Sequence, residues 1–316
     1  MTEKKNLTKI GIVCLLAMIC CALWGSAFPC IKIGYRLFGV GASDSASQIL
    51  FAGVRFFLAG ILTILFGSIQ AKHLLFPGKH AIGRILTLAL FQTILQYTLF
   101  YMSLARTTAV NASIIDGTVW FFAILIAALV FHMEMLTMRK VFGCILGFAG
   151  IVLVSVHGAS GSVSFGAGDI LMLASAASSG MSTACLKLFS DKENPVVLSG
   201  YQFLVGGLVM ILIGILMGGR LSPSSPMAFV LLLYMALISS VAYTVWGILL
   251  KYNPVSLIGA FGFMTPVFGV IFSALFAGEA KSLGIILVIA LILVCAGIWQ
   301  VQRAGDGKTQ KSKTVE

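Results

Sequence analysis

Charge is scarce in this chain. Charged residues make up 10% of its 316 positions, against roughly 25% in a soluble domain. That excludes a soluble globular fold and argues against an enzyme working in bulk water. The signatures of nucleotide- and metal-dependent chemistry are missing too. There is no HExxH, no GxxxxGK[ST] and no nucleophile elbow. ATP-driven pumping by this chain alone therefore has no support, and no cofactor or metal is expected. The seven cysteines include no CxxC pair and no Cys/His ligand spacing, so they read as small packing residues. Acidic residues number 10 against 21 Lys and Arg, a net charge of +11. No nucleic-acid partner is implied, because the basic residues sit at helix ends and in loops. They are not interleaved with aromatics on a polar face.

What the chain has in abundance is apolar length. Hydrophobic residues reach 59% and the mean hydropathy is +1.05. A helix crossing a bilayer needs about 20 apolar residues. Ten such segments can be marked, at 11–31, 47–70, 82–104, 109–131, 138–156, 168–189, 196–217, 228–250, 257–277 and 283–302. Charge, Gly/Pro or a Ser-rich turn breaks nearly every junction, as at Arg139-Lys140 and Arg220 to Pro226. Met1 to Ile10 is basic and precedes an apolar run, a pattern shared with signal peptides. The run from Gly11 to Pro29 is long for a signal and no A-x-A-like cleavage site follows. It is taken as an uncleaved first span. The tail from Arg303 to Glu316 is polar and expected to be disordered. With the lipid bilayer as partner, the fold class is an all-α polytopic membrane protein of ten transmembrane helices.

Orientation follows from Lys and Arg in alternate loops. An N-terminus in the cytoplasm places 15 of them inside and 5 outside, with Arg55 inside a span. Both termini are expected in the cytoplasm, with the chain in the cell membrane.

The chain also repeats itself. Trp24-Gly25 lines up with Ser179-Gly180, and Gly53-Val54-Arg55-Phe56 with Gly200-Tyr201-Gln202-Phe203. Ala59-Gly60 lines up with Gly206-Gly207, Tyr97-Thr98 with Tyr243-Thr244, Glu134 with Glu279, and Ala149-Gly150-Ile151 with Ala296-Gly297-Ile298. Five spans per repeat is an odd number, so the halves enter the membrane from opposite sides. The expected organisation is residues 1–10 as a cytoplasmic segment, 11–156 and 157–302 as two inverted five-helix repeats, and 303–316 as the tail. Inverted repeats are a mark of secondary transporters, with a site near the midplane between the halves.

Certain residues carry a family likeness. They are Trp24-Gly25-Ser26 in span one, Arg55-Phe56 in span two, Glu134 ending span four, and Gly278-Glu279 ending span nine. Gly143, Gly147 and Gly150 follow the first acidic residue, and Ala296-Gly297 follows in the second half. Pro266 precedes Glu279 by 13 residues. In these features the chain resembles the drug/metabolite transporter superfamily of the EamA type, over about 290 residues. Phe121 stands where the first half would match Pro266, which predicts a first-half helix without its counterpart's kink. The resemblance implies an exporter or exchanger of small metabolites, amino acids among them. It names no substrate.

Ionisable groups inside a membrane are costly and usually face a cavity or one another. Two stand out, Arg55 and Asp116. Counting 1.5 Å per residue puts them about 12 Å and about 9 Å from the outer face, with Trp24 and Gln96 at comparable depth. They could form a structural pair, snorkel outward, or bind opposite ends of a zwitterion. An arginine fork suits a carboxylate, an aspartate takes an ammonium or a proton, and an indole offers a stacking or cation–π face. Asp116 is the only acidic residue well inside a span, which makes it the candidate for proton coupling. Gln92, Tyr97, Trp120, Gln202, Tyr243, Trp246 and Thr265 complete the substrate-binding candidates, and Pro266 is the candidate hinge. Glu134 and Glu279 read as helix-end charges or as gate contacts with Arg139 or Lys281. Gly143 and Gly147 mark close helix packing, within one chain or in a homodimer, so monomer and homodimer both stay open. The Asn111-Ala112-Ser113 sequon is taken as incidental.

The expected function is secondary active transport of a small polar metabolite by alternating access, with amino acids leading. A lipid-intermediate flippase and a drug or vitamin transporter of the same fold are the alternatives.

Overall fold

The computed structural model describes residues 7–41, 43–104, 106, 115–157, 166–277 and 284–313. Glu279, Lys281 and the Asn111 sequon lie outside them. Among the described residues the chain forms helices and no strand. A backbone in hydrocarbon has no water to bond, so a helix that pairs its own N–H and C=O groups is the economical solution.

The order is α1 (Ile10–Leu37), α2 (Ser45–Ala71), then α3, which runs continuously through Lys79–Leu88, a π-helical stretch Ala89–Leu95, and Gln96–Leu104. Next come α4 (Val119–Leu125 with a π-helical end, Ile126–Val130) and α5 (Met138–His157). The second half holds α6 (Ala167–Ser190), α7 (Pro195–Leu216), α8 (Pro226–Tyr252), α9 (Val255–Gly262 and Met264–Ala277) and α10 (Gly284–Lys313). Six of these, α1, α2, α3, α6, α7 and α8, are each long and apolar enough to cross a membrane. The ten segments form two five-helix repeats.

Local chemistry sets the helix starts. Asn194 caps α7 by accepting from Val196 N–H at 2.9 Å, with Pro195 following at the first helical position. Asp44 caps α2 the same way, accepting from Ser47 N–H at 3.0 Å. Hydrogen bonds from the Ser47 hydroxyl and backbone hold the Asp44 carboxyl below its usual value, against a small opposing effect of burial. A lowered folded value means the cap contributes stability above about pH 4 and loses it as pH falls through the folded value. Asp44→Ala should therefore lower stability near neutrality by about 1 kcal/mol. The difference from wild type should shrink toward zero below about pH 3. Thermal melts of the detergent-solubilised chain at pH 7 and pH 3 would check this.

Two boundaries differ from the sequence expectation. α1 runs past residue 31 to Leu37, with Pro29 inside it, so Trp24 sits midway along the helix, deeper than counted. α10 continues to Lys313, so 303–313 is helical rather than disordered.

The kink expected only in the second half occurs in both. In α9 the helix tightens at Phe263 (ψ −14°) between its two segments. Leading into α4, Thr118 (ψ −12°) does the same after a turn at Gly117. Its N–H bonds three residues back to Ile115 O at 2.9 Å, and its hydroxyl bonds the same carbonyl at 2.5 Å. In the first half a side-chain hydroxyl thus supports the turn where the second half has a proline.

The halves pack reciprocally. Gly53 of α2 meets Ile211 of α7, and Gly200 of α7 meets Ile64 of α2. Gly60 meets Leu204, and Gly207 meets Phe57. An offset of 147 converts each contact into its partner. The same offset relates the second interface, where Gly143 of α5 faces Gly297 of α10 and Gly150 faces Ala290. Contacts that map onto each other are what a two-fold axis between the repeats demands. The Gly143/Gly147 spacing is thus used within the chain, Gly147 lying against Phe263.

Buried apolar residues form two cores. The larger one, toward the N-terminal face, joins residues of α1 and of α3 through α10, from Val13 and Cys20 to Val301. The second, toward the opposite face, is built from buried residues of α1, α2, α3, α6, α7 and α8.

Candidate functional site

Between the two cores lies a cavity of about 120 Å³. α1 brings Trp24, Ala27 and Ile31 to it, and α2 brings Arg55. α3 contributes Gln92, Gln96, Tyr97 and Phe100, and the α4 entry contributes Asp116, Gly117, Val119 and Trp120. The second half supplies Ser179, Thr183 and Leu186 from α6, Tyr243 and Trp246 from α8, and Thr265 and Pro266 from α9. Trp24, Gln92, Ser179 and Thr265 each sit near the middle of their helical segment, so the cavity centres on the midplane.

The π-helical stretch shapes one wall. A π turn adds a residue to the helical repeat and shifts the following side chains. Gln92 lies within it and Gln96 just after it, and both face the cavity. Gln202 does not line the cavity. It stands behind Gln92 and donates its Nε2–H to Gln92 Oε1 at 2.6 Å, so it orients a lining residue instead.

Arg55 is 3% exposed. Its Nε donates to Met235 O at 3.3 Å and its Nη2 to Ser239 Oγ at 3.1 Å, and its guanidinium lies 5.2 Å from the Phe56 ring centre. No described carboxylate lies within 4 Å of it. Asp116 lines the same cavity and likewise has no described Lys, Arg or His within 4 Å. The direct Arg55–Asp116 pair, one of the readings open from sequence, is not formed in this conformation. A buried cation without a counter-ion is expensive unless something completes it.

Aromatic rings form the wall on the N-terminal side. Trp24 packs edge-on against Tyr243 at 5.1 Å and Trp246 at 4.9 Å, and Trp120 lies 5.3 Å from Trp246. The Tyr97 and Tyr243 hydroxyls hydrogen-bond to each other. They occupy matching places in the two repeats, so their contact falls on the axis relating the halves. Among the described residues, three buried polar atoms of cavity-lining side chains have no hydrogen-bond partner, Trp24 Nε1, Gln96 Oε1 and Thr265 Oγ1. The first is a donor, the second an acceptor and the hydroxyl can be either.

The model of the EamA-like transporter family matches the chain twice, over residues 11–156 and 166–301. The chain belongs to the EamA-like transporter family. Its members are transporters rather than enzymes, and this is a multi-pass membrane protein of the drug/metabolite transporter superfamily. The chain is 24% identical to an uncharacterized transporter, YvbV, of Bacillus subtilis (strain 168), over 98% of this chain and 97% of that one. It is 25% identical to a chloroplastic WAT1-related protein of Arabidopsis thaliana, over 82% of this chain and 62% of that one. A crystal structure superposes with a TM-score of 0.73, covering 91% of this chain and 95% of its own at 18% identity. That is a likeness of fold alone.

For this EamA-like transporter, sequence reasoning missed Ser179 and Thr183, the two α6 hydroxyls at the cavity. A signal existed, because Ser179 aligns with Trp24 in the internal repeat. The small apolar liners Ala27, Ile31 and Val119 carried none, since in a 59% hydrophobic chain such residues are everywhere. Glu134 is also not the exposed helix-end charge expected. Its side chain is 9% exposed and its partner is Lys140, at 2.5 Å, rather than Arg139.

Proposed function

We propose that this protein is a secondary transporter that exports or exchanges a small polar metabolite by alternating access, with an amino acid or a related zwitterion as substrate. The observation that carries the reading is one midplane cavity faced by Arg55 and Asp116, neither of which has an oppositely charged group within 4 Å among the described residues. A substrate carboxylate completes Arg55 through charge-assisted hydrogen bonds. A substrate ammonium, or a proton from the bulk, completes Asp116. Trp24, Trp120 and Trp246 close the cavity on apolar surface, while Gln92, Gln96, Tyr97, Tyr243 and Thr265 offer hydrogen-bonding positions. The cavity holds on the order of ten water-sized groups, the scale of an amino acid and well short of a lipid with its chains. The 15-to-5 split of basic residues supports a cell-membrane location with both termini in the cytoplasm.

Counterflow in proteoliposomes with a labelled amino-acid panel tests the reading. Saturable exchange of one or a few members is expected. Asp116→Asn then separates the two roles. If Asp116 carries the coupling proton, the variant keeps exchange but loses accumulation driven by an imposed pH gradient. If it holds the ammonium, exchange itself falls. A folded, inserted protein that exchanges no panel member would exclude amino acids and favour another metabolite or a lipid-linked one.

A further inference from the structure

Glu134 lies beyond the end of α4, outside the cavity, yet among the described residues it is one of the most thoroughly bonded carboxylates. Lys140 of α5 donates to it at 2.5 Å. From the other half, Ser256 donates its backbone N–H at 2.9 Å and its hydroxyl as well. Ser256 is in the first turn of α9, where a carboxylate also meets the positive end of the helix dipole. The Glu134 and Lys140 side chains are each 9% exposed.

We infer that Glu134, with Lys140 and Ser256, is the latch that closes the cavity toward the N-terminal face, so that releasing it opens that side. The inference rests on the alternating-access reading. Two observations carry it. The latch joins the two halves, which must separate on one side for access to alternate. It holds the short first segment of α9, and the far end of that segment, Gly262, lies against Trp120 of the cavity wall.

The chemistry suits a reversible closure. A buried ion pair adds little net stability over an apolar contact, because both charges have lost water. By the same reasoning it costs little to open when water enters, since hydration returns to both partners. An apolar seal of equal area would resist opening in proportion to the surface exposed.

The test reads access to the cavity from each side and needs no substrate. The full chain carries Thr183→Cys as reporter, with Cys14, Cys30 and Cys295 replaced by alanine. It is reconstituted in vesicles sorted by the sidedness of an N-terminal tag and treated with a membrane-impermeant maleimide. With the latch intact, labelling from the N-terminal side should be slow. Glu134→Ala should speed it at least tenfold and slow labelling from the opposite side, because the two openings exclude each other. Ser256→Ala, which removes one bond, should give a smaller shift of the same sign and serves if Glu134→Ala does not fold. Unchanged labelling in the folded variants overturns the latch, and so does equal acceleration from both sides, which marks general loosening. The two readings fail separately. A reciprocal shift without exchange of any panel compound keeps the latch and removes the substrate class. Exchange with unchanged labelling does the reverse.

Discussion

Arg55→Met should weaken binding of a carboxylate-bearing substrate by about 10- to 100-fold while the helices stay assembled. The magnitude follows from the bond lost. A hydrogen bond to a charged group contributes about 1.5–3 kcal/mol, and every 1.4 kcal/mol is about tenfold in affinity. The sign of the stability change is the more informative half. Arg55 is 3% exposed and donates to a carbonyl and a serine hydroxyl, and among the described residues no carboxylate lies within 4 Å of it. Replacing an uncompensated buried charge by an apolar side chain of similar reach is often neutral or stabilising. The variant should therefore melt at or above the wild-type temperature while losing exchange, the trade expected where function needs a strained site. Thermal melts and substrate titration on one preparation decide it. A lower melting temperature with intact exchange would make Arg55 a structural residue.

Gly53→Val is expected to abolish the folded protein. A Cβ at Gly53 would lie 2.6 Å from the Ile211 backbone nitrogen and 3.0 Å from the Gly207 carbonyl oxygen. Both are main-chain atoms of α7 and cannot rotate away, so α2 and α7 must separate along their shared length. Overpacking of this kind costs about 1–3 kcal/mol even where side chains can adjust. Loss of the monodisperse peak in size-exclusion chromatography is the readout. The matching residue in the repeat makes the control. At Gly200 the three atoms nearest a Cβ all belong to the side chains of Ile64 and Thr63, which can shift where main chain cannot. The added alanine also recovers up to about 1 kcal/mol of helix propensity. Gly200→Ala should fold. If Gly53→Val folds as well, the close approach of α2 and α7 is not what holds the halves together.

Much of the architecture was legible from the chain. Ten apolar runs with charged breaks mark the ten helical segments, because the bilayer length sets the period. The internal alignment of Gly53 with Gly200 and of Gly150 with Gly297 announced glycines that, in the fold, lie at the contacts between the halves. What misled was local. A polar tail read as disorder continues a helix. The missing proline at Phe121 suggested a straight helix, while Thr118 and Gly117 supply the turn. Glu134 read as a surface charge because its partner in α9, Ser256, lies 122 residues away, and no local pattern links them.

For the site the division is similar. Scarcity of charge singled out Arg55 and Asp116, since an ionisable group in an apolar run must have a reason to be there. The repeat singled out Tyr97 and Tyr243, whose hydroxyls meet. By itself the sequence determined the class of protein, the number of spans and the inverted duplication, because each follows from hydropathy, length and parity. Only the tertiary structure decided that Arg55 and Asp116 face one cavity without pairing, that Gln202 stands behind Gln92, and that Glu134 ties one half to the other. Those facts depend on helix rotation and on contacts between residues far apart in the chain, and neither is written in any single span.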